Sequence, residues 1–92
     1  MKIEWSNQAV TDLARLHAFL APDAPEAAAR MLQQMGRAPG RLIDFPRLGE
    51  KLDLYLPREV RRIKVGRYEM RYEIADTTIT ILRLWHSRED RP

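Results

Sequence analysis

The hydrophobic pattern changes period along this chain. Lys2-Ile3-Glu4-Trp5 alternates polar and apolar, the period of a short strand. Ser6-Asn7 then offers a side-chain oxygen to the free N–H groups of a helix start. Val10, Leu13, Leu16, His17 and Leu20 follow at helical spacing. This predicts a helix over residues 7–20, with Asp12 in its first turn, where the helix dipole favours an anion. Ala21-Pro22-Asp23-Ala24-Pro25 is a turn, and Pro25 with Glu26 suits the start of a second helix. Ala28, Met31, Leu32, Met35 and Leu42 form one apolar stripe, so two antiparallel helices joined by a short turn make a helical hairpin. Gly36 and Pro39-Gly40 argue against a clean helix beyond residue 38, yet the apolar pattern resumes over 41–45. A kinked helix reaching about residue 44, or two pieces, is expected, with Phe45-Pro46 ending it.

Pro46, Gly49 and Pro57 mark residues 46–57 as a loop, after which the period becomes two. Val60, Arg62 and Lys64 alternate with Arg61, Ile63 and Val65, and Gly66-Arg67 supplies a tight hairpin turn. Tyr68 to Ile74 alternates without a fault, apolar at even and charged at odd numbers, as in a strand with one packed face. Asp76-Thr77 is the next turn. Thr78–Trp85 is more uniformly apolar, as expected of a central strand, and the tail from His86 is polar and expected to be exposed. Segregated helices and strands predict an α+β fold. An N-terminal strand and a helical hairpin pack on a mainly antiparallel sheet of three to four strands, in a single domain spanning 1–92. The first strand has no hairpin partner and is expected at an edge or beside the last strand.

Composition narrows the chemistry. The absence of cysteine excludes disulfides, thiolate metal sites and thiol nucleophiles. No stretch approaches the ~20 apolar residues of a membrane span, and the N-terminus lacks a signal-peptide run, so a cytoplasmic chain with no membrane role is expected. Residues 1–57 balance seven Lys/Arg against seven Asp/Glu, whereas residues 58–92 hold nine against six, the whole net charge of +3. The basic half suits an acidic protein or a phosphate backbone, or is simply a solvated sheet face. Two separated histidines, His17 and His86, and singly placed glycines point to no metal site, phosphate loop or cofactor.

Four stretches, in order, resemble the RelE/ParE toxin superfamily. Trp5-Ser6-Asn7-Gln8-Ala9-Val10-Thr11-Asp12-Leu13 resembles its strand-to-helix entry. Phe45-Pro46-Arg47-Leu48-Gly49 resembles its exit from the second helix. Val60–Tyr68 with Met70-Arg71-Tyr72 resembles its central hairpin. Ile81–Asp90 resembles its last strand, with a His-x-Arg-x-Asp end typical of the ParE branch. The resemblance implies the toxin of a type II toxin–antitoxin pair, a plasmid-stabilisation protein held in a hetero-oligomer by a ParD-like antitoxin. It implies no sequence-specific DNA binding by this chain alone. The ParE branch is understood to poison DNA gyrase, whereas the RelE branch cuts mRNA on the ribosome.

Cutting RNA requires a base, one or more Arg/Lys on the phosphate and an acid, within hydrogen-bond reach of one another. The interferases of the superfamily place an Arg directly after the first Tyr of the hairpin's second strand; here that position is Glu69. A nuclease reading would rest on His86, Arg83, Arg71 and Glu50, with Glu59 as a further base. His86 equally suits a strand end or a partner contact, and His17 a packing position on the first helix. The charge reversal at Glu69 favours a non-enzymatic toxin, with a degenerate toxin that retains only antitoxin binding as a third reading. For the antitoxin, Trp85, Trp5 and Tyr55 are candidate anchors, although packing is the simpler role for Trp5. Met31 and Met35 are most simply core, or else line a groove between the second helix and the sheet. The hairpin register puts Val65 opposite Tyr68, Lys64 opposite Glu69, Ile63 opposite Met70 and Arg62 opposite Arg71. Arg62, Lys64 and Arg71 are therefore expected as one basic patch on the open sheet face, completing an antitoxin-binding set with Trp85, Met31 and Met35.

Overall fold

The computed structural model describes residues 1–92. In chain order it holds β1 (Lys2–Trp5), α1 (Asn7–Leu20), α2 (Pro25–Arg37), α3 (Pro39–Asp44), β2 (Glu50–Lys51), β3 (Glu59–Val65), β4 (Tyr68–Ala75) and β5 (Thr78–His86). The expected α+β fold is present, and the sheet has five strands rather than three to four, in the order β1-β5-β4-β3-β2. The extra strand, β2, has two residues, too few to show a period of its own. It lies antiparallel to β3, with Glu50 opposite Arg62. β1 runs parallel to β5 at the other edge, from Lys2 opposite Thr78 to Trp5 opposite Ile81.

Ser6 welds β1 to α1. Its Oγ accepts from Ala9 N at 3.0 Å as the N-cap and donates to Leu82 O at 2.8 Å. The second helix divides at Ala38: Pro39 begins α3, because a proline is tolerated at a first helical position but not inside one. The tight turn between β3 and β4 puts Gly66 at φ +60°, and the hairpin register is the expected one along its whole length. Between β4 and β5 the ladder shifts, since Arg71 faces Arg83 while Tyr72 faces Ile81. Leu82 is the extra residue, and the bulge turns Arg83 and Trp85 onto the sheet face away from the helices.

The core lies between helices and sheet. Met31, Met35 and Leu42 meet Met70, Tyr72, Ile79, Ile81 and Leu84, all buried. Tyr72 also carries a polar tip. Its hydroxyl donates to Pro46 O at 2.7 Å and accepts from Gly49 N at 2.9 Å, which pins the loop to the sheet. A Cβ on Gly49 would stand 2.5 Å from Arg62 O, so glycine is required for that approach.

Three local expectations are corrected. Val10 is exposed, and the inward face of α1 is Ala9, Asp12 and Leu16. Asp12 is therefore not a first-turn anion serving the helix dipole but a buried carboxylate aimed at β5. The tail is not free either, because Glu89, Arg91 and Pro92 are all bonded back onto the domain.

Candidate functional site

Two regions carry the unusual chemistry. The first is the sheet face turned away from the helices. There Arg71 is buried, and its Nε donates to Glu69 at 2.7 Å. Its other nitrogens reach Tyr55 Oη at 3.0 Å and the carbonyl oxygen of Pro92. Glu69 also accepts from Arg91 at 2.9 Å and lies 3.6 Å from Arg62, which pairs with Glu50 at 2.9 Å. Charges thus alternate from Glu50 through Arg62, Glu69 and Arg71. Burial pushes the Glu69 carboxyl up, but the hydrogen bonds from Arg71 and Arg91 outweigh it and hold the group below its ordinary value. It is a carboxylate in the folded protein.

Trp85 lies against two guanidiniums. Arg71 and Arg83 each stand 4.6 Å from the centre of its ring system, within cation–π range. Arg83 is fixed in turn by Asp12, whose carboxylate accepts from Arg83 Nε at 2.8 Å and from Leu84 N at 2.9 Å. Burial raises the Asp12 pKa, but the hydrogen bonds from Arg83 and Leu84 outweigh it, so the net direction is down. One network therefore crosses the sheet from α1 to β2 through Asp12, Arg83, Trp85, Arg71, Glu69, Arg62 and Glu50.

The second region is a groove of about 990 Å³ on the helix side, between the helical hairpin and the β3–β4 turn. Leu16, Leu20, Met31 and Tyr68 line it with the exposed Phe19, and Arg15, Arg30, Arg67 and Arg88 line it against the single carboxylate of Glu89. Phe19 is 82% exposed, the most exposed large apolar side chain of the chain. His86 belongs to this region. Its ring packs edge-on against Tyr68 at 5.4 Å, and its Nδ1 accepts from Arg88 N.

The residues singled out from sequence divide accordingly. Arg71 lies against Trp85 on the far face, whereas His86 lines the groove on the helix side, so the sheet separates these two; Arg83 also lies against Trp85, but its guanidinium reaches Asp12 of α1. Glu50 is joined to the cluster only through Arg62. Glu59 is held by Arg47 and Arg61. The basic patch of Arg62, Lys64 and Arg71 is corrected in its exposure: the register is right, but Arg71 is covered, and the acid between the two arginines is the chain's own Glu69. Lys64 is exposed. Met31, Met35 and Trp85 are all buried, Met31 beneath the groove. His17 and Trp5 are half-buried. No group of three His, Cys, Asp or Glu side chains is placed to hold a metal ion, and no helix is long and apolar enough to cross a membrane.

The sequence reading missed Asp12 as a member of the network and most of the groove. Asp12 had a signal, since Ala9, Asp12 and Leu16 share one helix face. Phe19, Arg30, Arg67 and Arg88 had none, because they converge from separate elements.

Comparison with known proteins places this geometry. Among solved structures, the chain superposes on a chromosomal ParDE toxin–antitoxin system from P. aeruginosa with a TM-score of 0.76 at 20% identity, covering 94% of this chain and 95% of that one. The RelBE2 toxin–antitoxin complex of Mycobacterium tuberculosis gives a TM-score of 0.63 at 28% identity, over 92% of this chain and 95% of the other. In sequence, the chain is 29% identical to Toxin RelE2 of Caulobacter vibrioides over 86 residues, covering 94% of each. It is 28% identical to the putative toxin Y4kP of Sinorhizobium fredii over 91 residues, covering 99% of this chain and 93% of that one. Residues 3–91 match the model for the ParE toxin of the type II toxin–antitoxin system parDE. With a match over nearly its whole length, the chain belongs to the ParE toxin family, within the RelE/ParE superfamily of type II toxins.

Proposed function

We propose that this toxin acts by binding a protein target, in the ParE manner with DNA gyrase as that target, and that a ParD-like antitoxin silences it in the bacterial cytoplasm. One observation carries the reading. In the nuclease set read from the sequence, Arg71 is already neutralised by Glu69, and His86 faces the other side of the sheet from it. The carboxylates beside Arg71 and Arg83, Glu69 and Asp12, are held below their ordinary pKa by those arginines, which makes them weak bases. General acid–base cleavage needs an acid and a base within hydrogen-bond reach of one phosphate.

The antitoxin's seat is the groove. Its apolar lining with four arginines suits a segment that carries apolar side chains on one face and carboxylates on the other. Met31 is the expected antitoxin residue that lies beneath it. Arg62 and Lys64 offer an accessory basic contact on the far face, while Arg71, Trp85 and Met35 support these surfaces from beneath.

The test compares two reactions with the purified toxin. Supercoiling by DNA gyrase should be inhibited, and a programmed ribosome should leave its mRNA intact. Cleaved mRNA with unimpaired supercoiling would replace this reading by a ribosome-dependent nuclease. In that case His86→Ala, expected to keep most of the toxicity, should instead abolish it. Loss of both effects with antitoxin binding retained would identify a degenerate toxin.

A further inference from the structure

Residues 87–92 follow a course that links the two regions. Glu89 lines the groove, ion-paired to Arg15 of α1, and its other oxygen accepts from His86 N at 2.8 Å. Arg91 then donates to the carbonyls of Ser87 and Glu89 at 3.1 and 2.9 Å and crosses to Glu69 on the far face. The carbonyl of Pro92 finally meets Arg71. Three side chains therefore hold the segment, one on the helix side and two on the sheet side. Arg71, which it meets, is 2% exposed, and Trp85, the cross-strand neighbour of Glu69 stacked against Arg71, is 5% exposed.

The groove end of this segment is the vulnerable one. Arg15 and Glu89 are both well exposed, with side chains 42% and 36% accessible, so their pair is open to competition. Arg15 is also the groove arginine that an incoming carboxylate must share with Glu89. When the Glu89 carboxylate leaves, the turn that presents the Glu89 carbonyl to Arg91 loses its side-chain bond to His86 N and keeps only the backbone bonds Ser87 N–Arg67 O and Glu89 N–His86 O.

We infer that residues 87–92 are a strap coupling the two faces: a segment bearing apolar and acidic side chains, seated in the groove, displaces Glu89 from Arg15 and thereby uncovers Arg71 and Trp85 on the opposite side. The inference rests on the groove as the partner's seat, and it adds that partner binding changes a surface the partner does not occupy. Both ligands of the exchange are carboxylates, so the swap at Arg15 conserves charge and has little intrinsic cost. Its direction is set by the apolar contacts that only the incoming segment makes with Phe19 and Leu20. The uncovered face gains a guanidinium and an indole that are closed off in the free toxin.

The chain has two tryptophans, so a Trp5→Phe background isolates Trp85. Acrylamide quenching of Trp85 should rise about two- to threefold in Glu89→Gln, and equally in Arg91→Ala, because each releases one end of a segment held locally. Wild-type quenching in both variants would overturn the strap. A synthetic helical peptide with leucines at i, i+3, i+4 and i+7 and glutamates on its other face then serves as the probe. The same peptide with lysines is the control. The acidic probe should bind, raise quenching in the parent protein and add nothing in Glu89→Gln, while the lysine peptide should not bind. Binding without a change in quenching overturns the coupling. No binding, with Glu89→Gln still uncovering Trp85, overturns the groove as the seat and with it the antitoxin site proposed above.

Discussion

The same strand, β4, meets opposite chemistry on its two sides. Towards the helices, Met70, Tyr72 and Ile74 join Met31, Met35 and Leu42 in a core whose cohesion is apolar contact. Away from them, Glu69 and Arg71 are buried as well, but by ion pairs, a stacked indole and the tail. The difference teaches what each face tolerates. An apolar core loses stability in proportion to the volume removed. A buried ionic cluster loses it when one partner is left alone, and it can be replaced as a unit at little cost.

Arg71→Ala should therefore be the most damaging single change, at about 3–5 kcal/mol, because Glu69 remains buried with only Arg91 and the longer contact to Arg62. Adding Glu69→Leu, with Arg71 changed to Met rather than Ala, should recover most of that loss. Urea unfolding of the three proteins checks it; no recovery in the double variant would mean that the ionic cluster cannot be exchanged as a unit. On the other face, Leu42→Ala should cost about 2–5 kcal/mol, and no compensating partner exists for it. If a second-site charge change rescued Leu42→Ala, the contrast between the faces would fail.

Acid should dissolve the contrast from one side only. Asp12 and Glu69 are both held below their ordinary values of 3.8 and 4.5. A depressed carboxylate contributes its stability fully above the ordinary value and loses it as pH falls through the depressed one. Stability should thus be flat near neutrality and drop progressively below about pH 4.5. In Asp12→Asn with Glu69→Gln the neutral stability should be lower and the acid limb shallower. Parallel acid limbs in the two proteins, followed by circular dichroism, would place the acid sensitivity elsewhere.

The apolar face was legible in the sequence and the ionic face only in part. Strict alternation over 68–74 assigns Met70 and Tyr72 inward, and the Gly66 turn fixes the hairpin register, because both follow from local backbone geometry. The covering of Arg71 follows from neither. It depends on a bulge at Leu82 that brings Trp85 to the outer face, and on a polar tail that folds back through three side chains. Polar tails are ordinarily solvated, and a one-residue bulge leaves no periodic trace in a strand as apolar as β5. β2 escaped notice for the same reason: two residues paired by the pinning of Gly49 and Tyr72 have no pattern of their own. The groove is a product of assembly, since its arginines come from α1, α2, the β3–β4 turn and the tail.

The smallest effect marks where the ionic network ends. Glu50 pairs with Arg62 at 2.9 Å, but its side chain is 65% accessible and Arg62's is 39%, whereas Glu69 one step inward is 5% accessible. An exposed pair gains little Coulomb energy in water and gives up side-chain freedom, so its coupling should lie between about 0 and 1 kcal/mol. Salt near 1 M shortens the screening length to about 3 Å and should remove most of it. A double-mutant cycle on Glu50→Ala and Arg62→Ala at low and high salt measures that coupling directly. A coupling above about 2 kcal/mol that ignores salt would mean that the buried cluster extends to the sheet edge. β2 would then be held by the far face as firmly as the β3–β4 hairpin is held by the core.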